Sequence, residues 1–455
     1  MKIDSDRLAR ALFFLSIFSS TILLAFGYGI AVQKYEIFPY AFINSTSEAF
    51  ELVSDTVSGE LPWYYRNVDY TEKISVNVYE KDSAYEGLNL VTSMASNNQL
   101  SVRVIDMEGE RIHEWDIDWF NIWLNPKHLT EHEIPKSRPG THIHGAVLME
   151  NGDLVFNFEH LGMVRLNICG DVVWRLPYRT HHSIYMDEHG SLWVSGQRNH
   201  DKSIPEFPNY KPPFIEYTII EVSPKGEIIQ EISVMDLLKE NDLNGLLYMS
   251  TLHNDSTEVT GDTLHLNDVE TFPSAMEEGI FEAGDIMISL RNINTILVFG
   301  QADKKLKFQS TGGFARQHDP DFIDGNTISV FDNNNIAPEL YGPQSRILIL
   351  SAMQNSSHIF YSGSESHRFY TDIMGKHQWL PNGNLLITES RKGRAFEIDK
   401  NGEIVWEFLN VVESGIVGLM EEVQRLPSRY VNLFNQERTK KCTQESLDLL
   451  LESKK

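Results

Sequence analysis

One pattern recurs from about residue 76 to residue 410 of this 455-residue chain and constrains its fold more than any other feature. Each repeat has an apolar run, a Gly-containing turn, and a hairpin whose two alternating strands flank a polar Gly or Asn turn. Radial stacking of four-stranded repeats removes long exposed sheet edges. We therefore expect an all-β fold, a six-bladed β-propeller over residues 76–410. The predicted outer hairpins are Leu100–Trp115, Met163–Leu176, Tyr217–Ile232, Asn294–Phe308, Arg346–Tyr361 and Arg394–Phe408.

A second segment precedes the hairpin in most repeats. It has the form x-Gly-x followed by strand-forming residues, and we interpret it as the innermost strand of each blade. The first repeat has only Gly87–Met94 in this place. The other five segments are Asn151–Val155, His189–Trp193, Ala283–Met287, Asp324–Ile328 and Asn382–Leu386.

Residues 11–32 form a stretch without a charged side chain, long enough to cross a hydrocarbon core of ~30 Å as a helix. Lys2, Arg7 and Arg10 precede the stretch, so the positive-inside rule places residues 1–10 in the cytoplasm. We predict an uncleaved transmembrane anchor that contacts the lipid bilayer, followed by a membrane-proximal connection with a short helix over residues 33–75. This predicts a single-pass protein of the cell inner membrane with its globular domain on the periplasmic, extracytoplasmic side. A cleaved signal peptide is the alternative.

The composition narrows the classes of partner. With 39 Lys and Arg against 64 Asp and Glu, the net charge of −25 argues against nucleic-acid binding by the folded domain. The two cysteines, Cys169 and Cys442, exclude a Cys-rich zinc or iron–sulfur motif. We expect them to be unpaired, with one long-range disulfide as the alternative. Residues 411–455 are predicted to form a helical C-terminal tail, because Leu419–Leu426 and Glu445–Leu451 have helical spacing.

Five repeats carry a histidine directly before the predicted inner strand. Side chains at equivalent positions of successive blades project toward one axis, so five imidazoles would converge at one mouth of the central channel. A single such histidine would more commonly bond a backbone carbonyl, but five in register favour a binding or catalytic site. The five are His144, His182, His265, His318 and His377.

Two arginines stand near these histidines in the repeat pattern. Arg291 follows the apolar run Ile286–Leu290, and Arg391 occupies a similar place after Ile387–Ser390. A guanidinium beside imidazoles predicts an oxyanion ligand. The alternative for each arginine is an ion pair between neighbouring blades of this acidic protein.

Several short motifs, taken in order, resemble the arylsulfotransferase family over about residues 76–435. They are Thr-His-His-Ser-Ile around His182, His-Leu-Asn from His265 to Asn267, Ser-Leu-Arg-Asn-Ile-Asn around Arg291, Arg-Gln-His-Asp around His318, and Lys-His-Gln-Trp-Leu-Pro-Asn-Gly-Asn around His377.

The resemblance implies a six-bladed propeller that moves a sulfuryl group from a phenolic sulfate ester to a phenol through a sulfohistidine. It implies no nucleotide sulfate or other cofactor, and we expect no metal. By position, His318 would be the nucleophile, supported by His182, His265, Asn267 and Arg291. We add His377, His144 and Arg391 as candidate substrate-binding residues. Asp268 and Asp319 stand where the family generally has a small hydroxylic residue and a Thr.

Two other functions remain open from the residues alone. A ring of histidines with nearby carboxylates would also suit a divalent metal, so the chain could be another histidine-ring enzyme or a metal-binding propeller. It could also be a catalytically silent, membrane-anchored interaction module, because a fold is shared more widely than an activity.

Overall fold

The computed structural model describes residues 5–35, 61–68, 75–251, 257–364 and 367–434, together with Cys442. The chain divides into two compact units, Met1–Trp63 and Tyr64–Lys455. In the first unit, helix α1 (Ser5–Tyr35) includes the apolar segment Leu12–Val32, which is long and apolar enough to cross a membrane. The helix predicted within 33–75 falls largely on residues 36–60 and 69–74, which lie outside the described residues.

The second unit is built mainly of β-strands. Its first fourteen strands are β1 (Tyr65–Asn67), β2 (Val76–Tyr79), β3 (Leu88–Ala95), β4 (Gln99–Ile105), β5 (Arg111–Ile117), β6 (Ile143–Leu148), β7 (Leu154–Phe158), β8 (Gly162–Leu166), β9 (Val172–Leu176), β10 (Thr180–Met186), β11 (Leu192–His200), β12 (Tyr210–Val222), β13 (Ile228–Ser233) and β14 (Val259–Gly261). The remaining strands are β15 (Leu266–Thr271), β16 (Ile286–Leu290), β17 (Thr295–Phe299), β18 (Leu306–Thr311), β19 (His318–Asp324), β20 (Thr327–Asp332), β21 (Arg346–Ser351), β22 (Ser356–Tyr361), β23 (Lys376–Trp379), β24 (Leu385–Glu389), β25 (Arg394–Ile398), β26 (Ile404–Leu409), β27 (Val411–Glu413), β28 (Ile416–Gly418) and β29 (Met420–Leu426).

Helices in the described part of this unit are short, and all but the last lie between strands. They are α2 (Trp119–Ile122), α3 (Val234–Glu240), α4 (Asn244–Leu247), α5 (Pro338–Tyr341) and α6 (Arg429–Leu433), with 3₁₀ turns at Arg291–Ile293 and Ser390–Lys392.

Six sheets of four or five strands, and a small sheet of β1, β28 and β27, make up the described part of this unit. We number the six sheets by their strand order: sheet 1 is β29-β3-β4-β5, sheet 2 β6 to β9, sheet 3 β10 to β13 with β14 beside β12, sheet 4 β15 to β18, sheet 5 β19 to β22, and sheet 6 β23 to β26 with β2 beside β26. The first strand of each sheet contacts the first strand of the next, and β23 contacts β29, which contacts β6. This closed ring of innermost strands is a β-propeller.

All six predicted outer hairpins are present, as the third and fourth strands of the sheets. The prediction for the x-Gly-x segments is wrong by one strand, because these segments begin the second strand of sheets 2 to 6. The predicted histidines lie on or directly before the innermost strand itself. The glycine belongs to the turn between the first and second strands, so the pattern marks the turn rather than the channel wall.

The C-terminal segment closes the ring. Strand β29 pairs antiparallel with β3, from Met420 opposite Ser93 to Leu426 opposite Leu88. The predicted helix over Leu419–Leu426 is therefore wrong, and Gly87–Met94 belongs to the second strand of its sheet. Pairing with β3 satisfies backbone groups that the sheet edge would otherwise leave open, which outweighs weak helical spacing. Of the rest of the predicted tail, Glu445–Leu451 lies outside the described residues.

The expectation of two unpaired thiols is also wrong, because Cys169 and Cys442 form a disulfide with a Cα–Cα distance of 5.3 Å. Cys169 lies in the turn between β8 and β9. The bond ties the C-terminal segment to the outer hairpin of sheet 2. Sequence separation of 273 residues gave no local signal for this pairing.

Candidate active site

β-Bulges in the innermost strands of sheets 2 to 5 position the site. A bulge leaves an extra residue unpaired and re-aims the neighbouring side chains. His182 and His265 also have positive φ values of 61° and 55°, which are costly for residues other than Gly and must be held by the surrounding sheets. The register shifts fall between Ile143 and Ala146, His181 and Ile184, Leu266 and Asp268, and His318 and Asp321.

Gly145 allows sheets 2 and 3 to approach closely at this point. Its φ is +101°, and a Cβ atom there would lie 2.1 Å from the carbonyl oxygen of His182. The close approach brings the rings of His144 and His182 to a centroid distance of 3.8 Å. Any side chain larger than hydrogen at residue 145 would push the two histidines apart.

His182 lies at the centre of a buried histidine cluster. Its ring centroid is 5.0 Å from that of His265 and 6.1 Å from that of His318. His181 also belongs to the cluster, with its Nδ1 atom 2.7 Å from Nδ1 of His182. Burial, followed by the neighbouring imidazoles, holds the pKa of His182 well below its ordinary value. The cluster is therefore made of neutral imidazoles at neutral pH.

The contacts of His318 leave one of its nitrogens free. Its Nδ1 atom lies 2.7 Å from Oδ1 of Asn333 and 3.0 Å from the carbonyl oxygen of Arg316, and both of these atoms can only accept. Nδ1 therefore carries the proton. The Nε2 atom is buried and has no hydrogen-bond partner among the described residues. Burial, and then the charge of Arg291, keep the pKa of His318 well below its ordinary value.

His265 has a similar arrangement with a carboxylate behind it. Its Nδ1 atom lies 2.5 Å from Asp262, which also accepts a hydrogen bond of 2.7 Å from the Tyr217 hydroxyl. Nε2 of His265 is buried and unpartnered within the described ranges. Burial lowers the pKa of His265 despite the opposing bond to Asp262. His265 is therefore a neutral base backed by a carboxylate.

Arg291 begins the 3₁₀ turn after β16, and its backbone N–H donates to the carbonyl of His265 at 3.0 Å. Its Nη2 atom lies 3.3 Å from Nδ1 of His265. No carboxylate of the described residues lies within 4.0 Å of this guanidinium, so the ion-pair alternative for Arg291 does not hold. An arginine keeps its charge in proteins. The cluster therefore contains a cation available to an anionic ligand.

The other predicted residues, Asn267, Arg391 and His377, have partners other than the clustered imidazoles. Asn267 is buried, and its Nδ2 donates to the carbonyl of Gln317 at 2.7 Å, which ties sheet 4 to the residue before His318. The Nε atom of Arg391 lies 3.7 Å from Asp372. His377 lies further along the channel, where its Nε2 atom is 2.8 Å from the Ser329 hydroxyl.

His377 lines a cavity of about 320 Å³ among the innermost strands. Carboxylates dominate its wall, and burial raises the pKa of Asp268 to about 6 and that of Glu422 to about 7. Lys376 lies among them, with its Nζ atom 2.6 Å from Asp319 and 3.6 Å from Asp268. Its charge holds the pKa of Asp319 low against burial. Lys376 therefore pairs both of the carboxylates that follow Asn267 and His318 in the sequence.

Two groups of side chains among the described residues could hold a metal ion, and one of them is Asp319, Asp321 and His377 in the cavity. His142, His144 and Glu159 each offer a ligand atom within 4.8 Å of the others. Glu159 follows β7 at the position that Arg291 occupies after β16, and Asn333 occupies the same position after β20. Sequence reasoning missed Glu159 and Asn333, although this repeated position after the second strand could have found both.

Fold and site together define a β-propeller enzyme candidate with a buried histidine–arginine cluster at the bulged ends of its innermost strands. The family model for arylsulfotransferase (ASST) matches residues 145–411, which is more than half of the chain. The chain belongs to the arylsulfotransferase family, and the membership supports aryl sulfotransferase activity in general. The matched segment contains His182, His265, Arg291 and His318. No curated protein matches the chain significantly.

The solved structures that match this chain have low sequence identity to it and low TM-scores. A protein of unknown function from Bacteroides caccae is 13% identical with a TM-score of 0.45, and the match covers 74% of this chain and 98% of that one. Virginiamycin B lyase from Staphylococcus aureus is 13% identical with a TM-score of 0.32, covering 62% and 72%. The WD40 β-propeller domain of Doa1 is 11% identical with a TM-score of 0.39, covering 80% and 98%.

Proposed function

We propose that the protein transfers a sulfuryl group from a phenolic sulfate ester to a phenol acceptor through a sulfohistidine at His318. The observation that carries this proposal is the protonation pattern of His318, whose Nδ1 is committed to Asn333 and whose buried Nε2 has no partner among the described residues. A neutral imidazole with a free nitrogen is a competent nucleophile near neutral pH.

In the first half reaction, the Nε2 lone pair of His318 attacks the sulfur. The ester S–O bond breaks, and its electron pair leaves on the phenolate oxygen. Arg291 supplies the fixed charge that holds the sulfate oxygens, and a positioned donor of this kind contributes about 3 kcal/mol to a transition state. Because His182 is neutral, this role falls on Arg291 rather than on a protonated histidine.

In the second half reaction, the acceptor oxygen attacks the sulfur, and the N–S bond returns its electron pair to Nε2 of His318. His265 takes the proton of the phenol on its Nε2 atom and returns it to the leaving phenolate of the next turnover. Asp262, at 2.5 Å from Nδ1, stabilises the imidazolium that forms. A base oriented by a carboxylate follows the logic of hydrolytic triads.

The reaction takes place outside the cytoplasm in this proposal. The basic residues before the apolar segment of α1 favour a cytoplasmic N-terminus. The disulfide between Cys169 and Cys442 supports the same side, because disulfides persist in oxidising compartments. Protease added to cells with a permeabilised outer layer should remove a tag at Lys455, and full protection of the tag would contradict this orientation.

A transfer assay tests the proposed function. Release of nitrophenol from nitrophenyl sulfate beyond about one equivalent per chain should require added phenol, and His318→Asn should abolish it. His128→Gln is the matched control. His128 is a partly buried histidine outside the cluster, and its Nε2 atom bonds the carbonyl of Leu161. Sustained release without phenol, or full activity of His318→Asn, would overturn the proposal.

A further inference from the structure

Three imidazoles surround one carboxylate beside the histidine cluster. Nδ1 of His142 lies 3.2 Å from Oε2 of Glu159, while Nδ1 of His144 and Nε2 of His160 lie 3.1 Å and 3.6 Å from Oε1. The proposed transfer chemistry uses none of these four side chains. We infer that His142, His144 and Glu159, whose ligand atoms lie within 4.8 Å of one another, form a binding site for a first-row divalent transition-metal ion such as Zn²⁺, with His160 beside it.

The contacts of Glu159 with the imidazoles have the length expected between neighbouring corners of a tetrahedral ion. Zinc binds imidazole nitrogen and carboxylate oxygen at about 2.0–2.2 Å, so two ligand atoms on neighbouring corners lie about 3.3 Å apart. The three contacts to Glu159 range from 3.1 to 3.6 Å. Imidazole and carboxylate together suit Zn²⁺, Co²⁺ and Fe²⁺ better than Ca²⁺ or Mg²⁺, which prefer oxygen alone.

One hairpin supplies all four side chains. His142 and His144 are two residues apart at the start of β6, and Glu159 and His160 follow β7, its partner strand. The backbone N–H of Glu159 donates to the carbonyl of His142 at 3.2 Å, which holds the two ends of the site together. The site therefore forms with sheet 2 itself and needs no other segment to complete its first set of ligands.

A second carboxylate supports His144 from the opposite side. Nε2 of His144 lies 3.4 Å from Oε1 of Glu421 on β29, and Oε2 of Glu421 is buried without a partner in the described part of the chain. Histidines that bind metals commonly donate their second N–H to such a carboxylate. Glu421 would orient His144, and His144 is thereby assigned to the metal rather than to the substrate.

The site lies next to the proposed anion site, since the rings of His144 and His182 are 3.8 Å apart between centroids. Without an ion, Glu159 adds a negative charge there. A divalent cation reverses the sign of the local charge and so favours a sulfate ester. This consequence for the substrate rests on the proposed function, whereas metal binding itself does not.

Metal content of the full-length protein in detergent tests the inference. After exposure to Zn²⁺ and removal of free ion, the wild type should keep one zinc per chain, and the Co²⁺ form should show the visible absorption bands of tetrahedral cobalt. Glu159→Gln and His142→Gln should each keep less than a tenth of this zinc. Glu421→Gln should bind zinc about 10–100-fold more weakly.

His200→Gln is the matched control, because Nε2 of His200 lies 2.7 Å from Glu216 in another half-buried histidine–carboxylate pair. It should retain a full equivalent of zinc. A wild type without stoichiometric zinc, or zinc retained by both site variants, would overturn the inference even if the variants fold differently. A wild type that binds no zinc but forms the His318 adduct would refute the metal site alone. A wild type that binds zinc but forms no adduct would refute the transfer proposal alone.

Discussion

Asn333 fixes which nitrogen of His318 carries the proton. Its Nδ2 atom donates to the carbonyls of Thr371 at 3.0 Å and Met374 at 2.7 Å, so its Oδ1 atom must face His318. An acceptor at 2.7 Å places the imidazole proton on Nδ1 and leaves the lone pair on Nε2. A residue outside the family motifs therefore prepares the proposed nucleophile.

Asn333→Asp should raise the pH below which the rate of His318 sulfation falls. In the wild type, burial and Arg291 hold the pKa of His318 well below its ordinary value, so the rate should stay flat from about pH 8 to about pH 6. A carboxylate at residue 333 favours the imidazolium and raises that pKa, so the variant should lose rate as the pH falls toward about 7.

Single-turnover rates measured across this pH range check this expectation. Asn401→Asp is the control, because Asn401 is exposed in the turn between β25 and β26. An unchanged profile for Asn333→Asp would mean that Asn333 does not set the protonation of His318.

Arg291→Ala should lower kcat/KM for the sulfate donor by about 100- to 1,000-fold, because it removes the cation whose charge acts most strongly on the proposed nucleophile. Arg291→Lys should fall between the wild type and Arg291→Ala, since an ammonium keeps the charge but loses the planar fork that matches two oxygens. Arg111→Lys, at an exposed position of β5, is the control and should match the wild type. Equal kcat/KM values for Arg291→Ala and the wild type would show that Arg291 does not bind the sulfate group.

Asp262→Asn should separate the two half reactions. Without the carboxylate, His265 becomes a poor base, so discharge of the sulfohistidine to phenol should slow by about 100- to 10,000-fold. Formation of the adduct in the first turnover should change little, because the resting His265 is neutral and has no proton to give to the leaving phenolate. Rapid-quench measurement of adduct formation and discharge distinguishes the steps, and an equal loss in both would contradict the role assigned to His265.

Lys376→Met should destabilise the protein strongly. Lys376 is buried between Asp319 and Asp268, and removing one partner of a buried charge cluster costs about 3–5 kcal/mol of unfolding free energy. Lys81→Met is the control, since its pair with Glu108 is exposed and should contribute almost nothing. Denaturant unfolding checks both, and equal midpoints would show that the carboxylates of the cavity are protonated or compensated in another way.

The hairpins were predictable because each is a local feature, with alternating apolar residues around a polar turn. The C-terminal segment was not, because its structure depends on partners far away in the sequence. Met420–Leu426 becomes a strand only because β3 offers an open edge, and Cys442 pairs with a residue 273 positions earlier. Local spacing contains no information about either partner.

The candidate site was predictable at the level of the histidine register and Arg291. Their partners were missed, although Asn333 and Glu159 occupy the same position after a second strand as Arg291, and Asp262 lies three residues before His265. His377 shows the limit of the register argument, since it occupies the predicted strand position yet lies in the acidic cavity with Ser329. The bulges, which the sequence did not reveal, decide which histidines meet.

Trapping the intermediate tests the central claim most directly. The wild-type protein is mixed with nitrophenyl sulfate without acceptor, quenched, digested and measured by mass spectrometry. The account predicts one SO₃ group on the peptide that contains Gln317 and His318, its loss when phenol is added before the quench, and no adduct in His318→Asn. An adduct on His182 or His265, or no adduct while transfer proceeds, would contradict it.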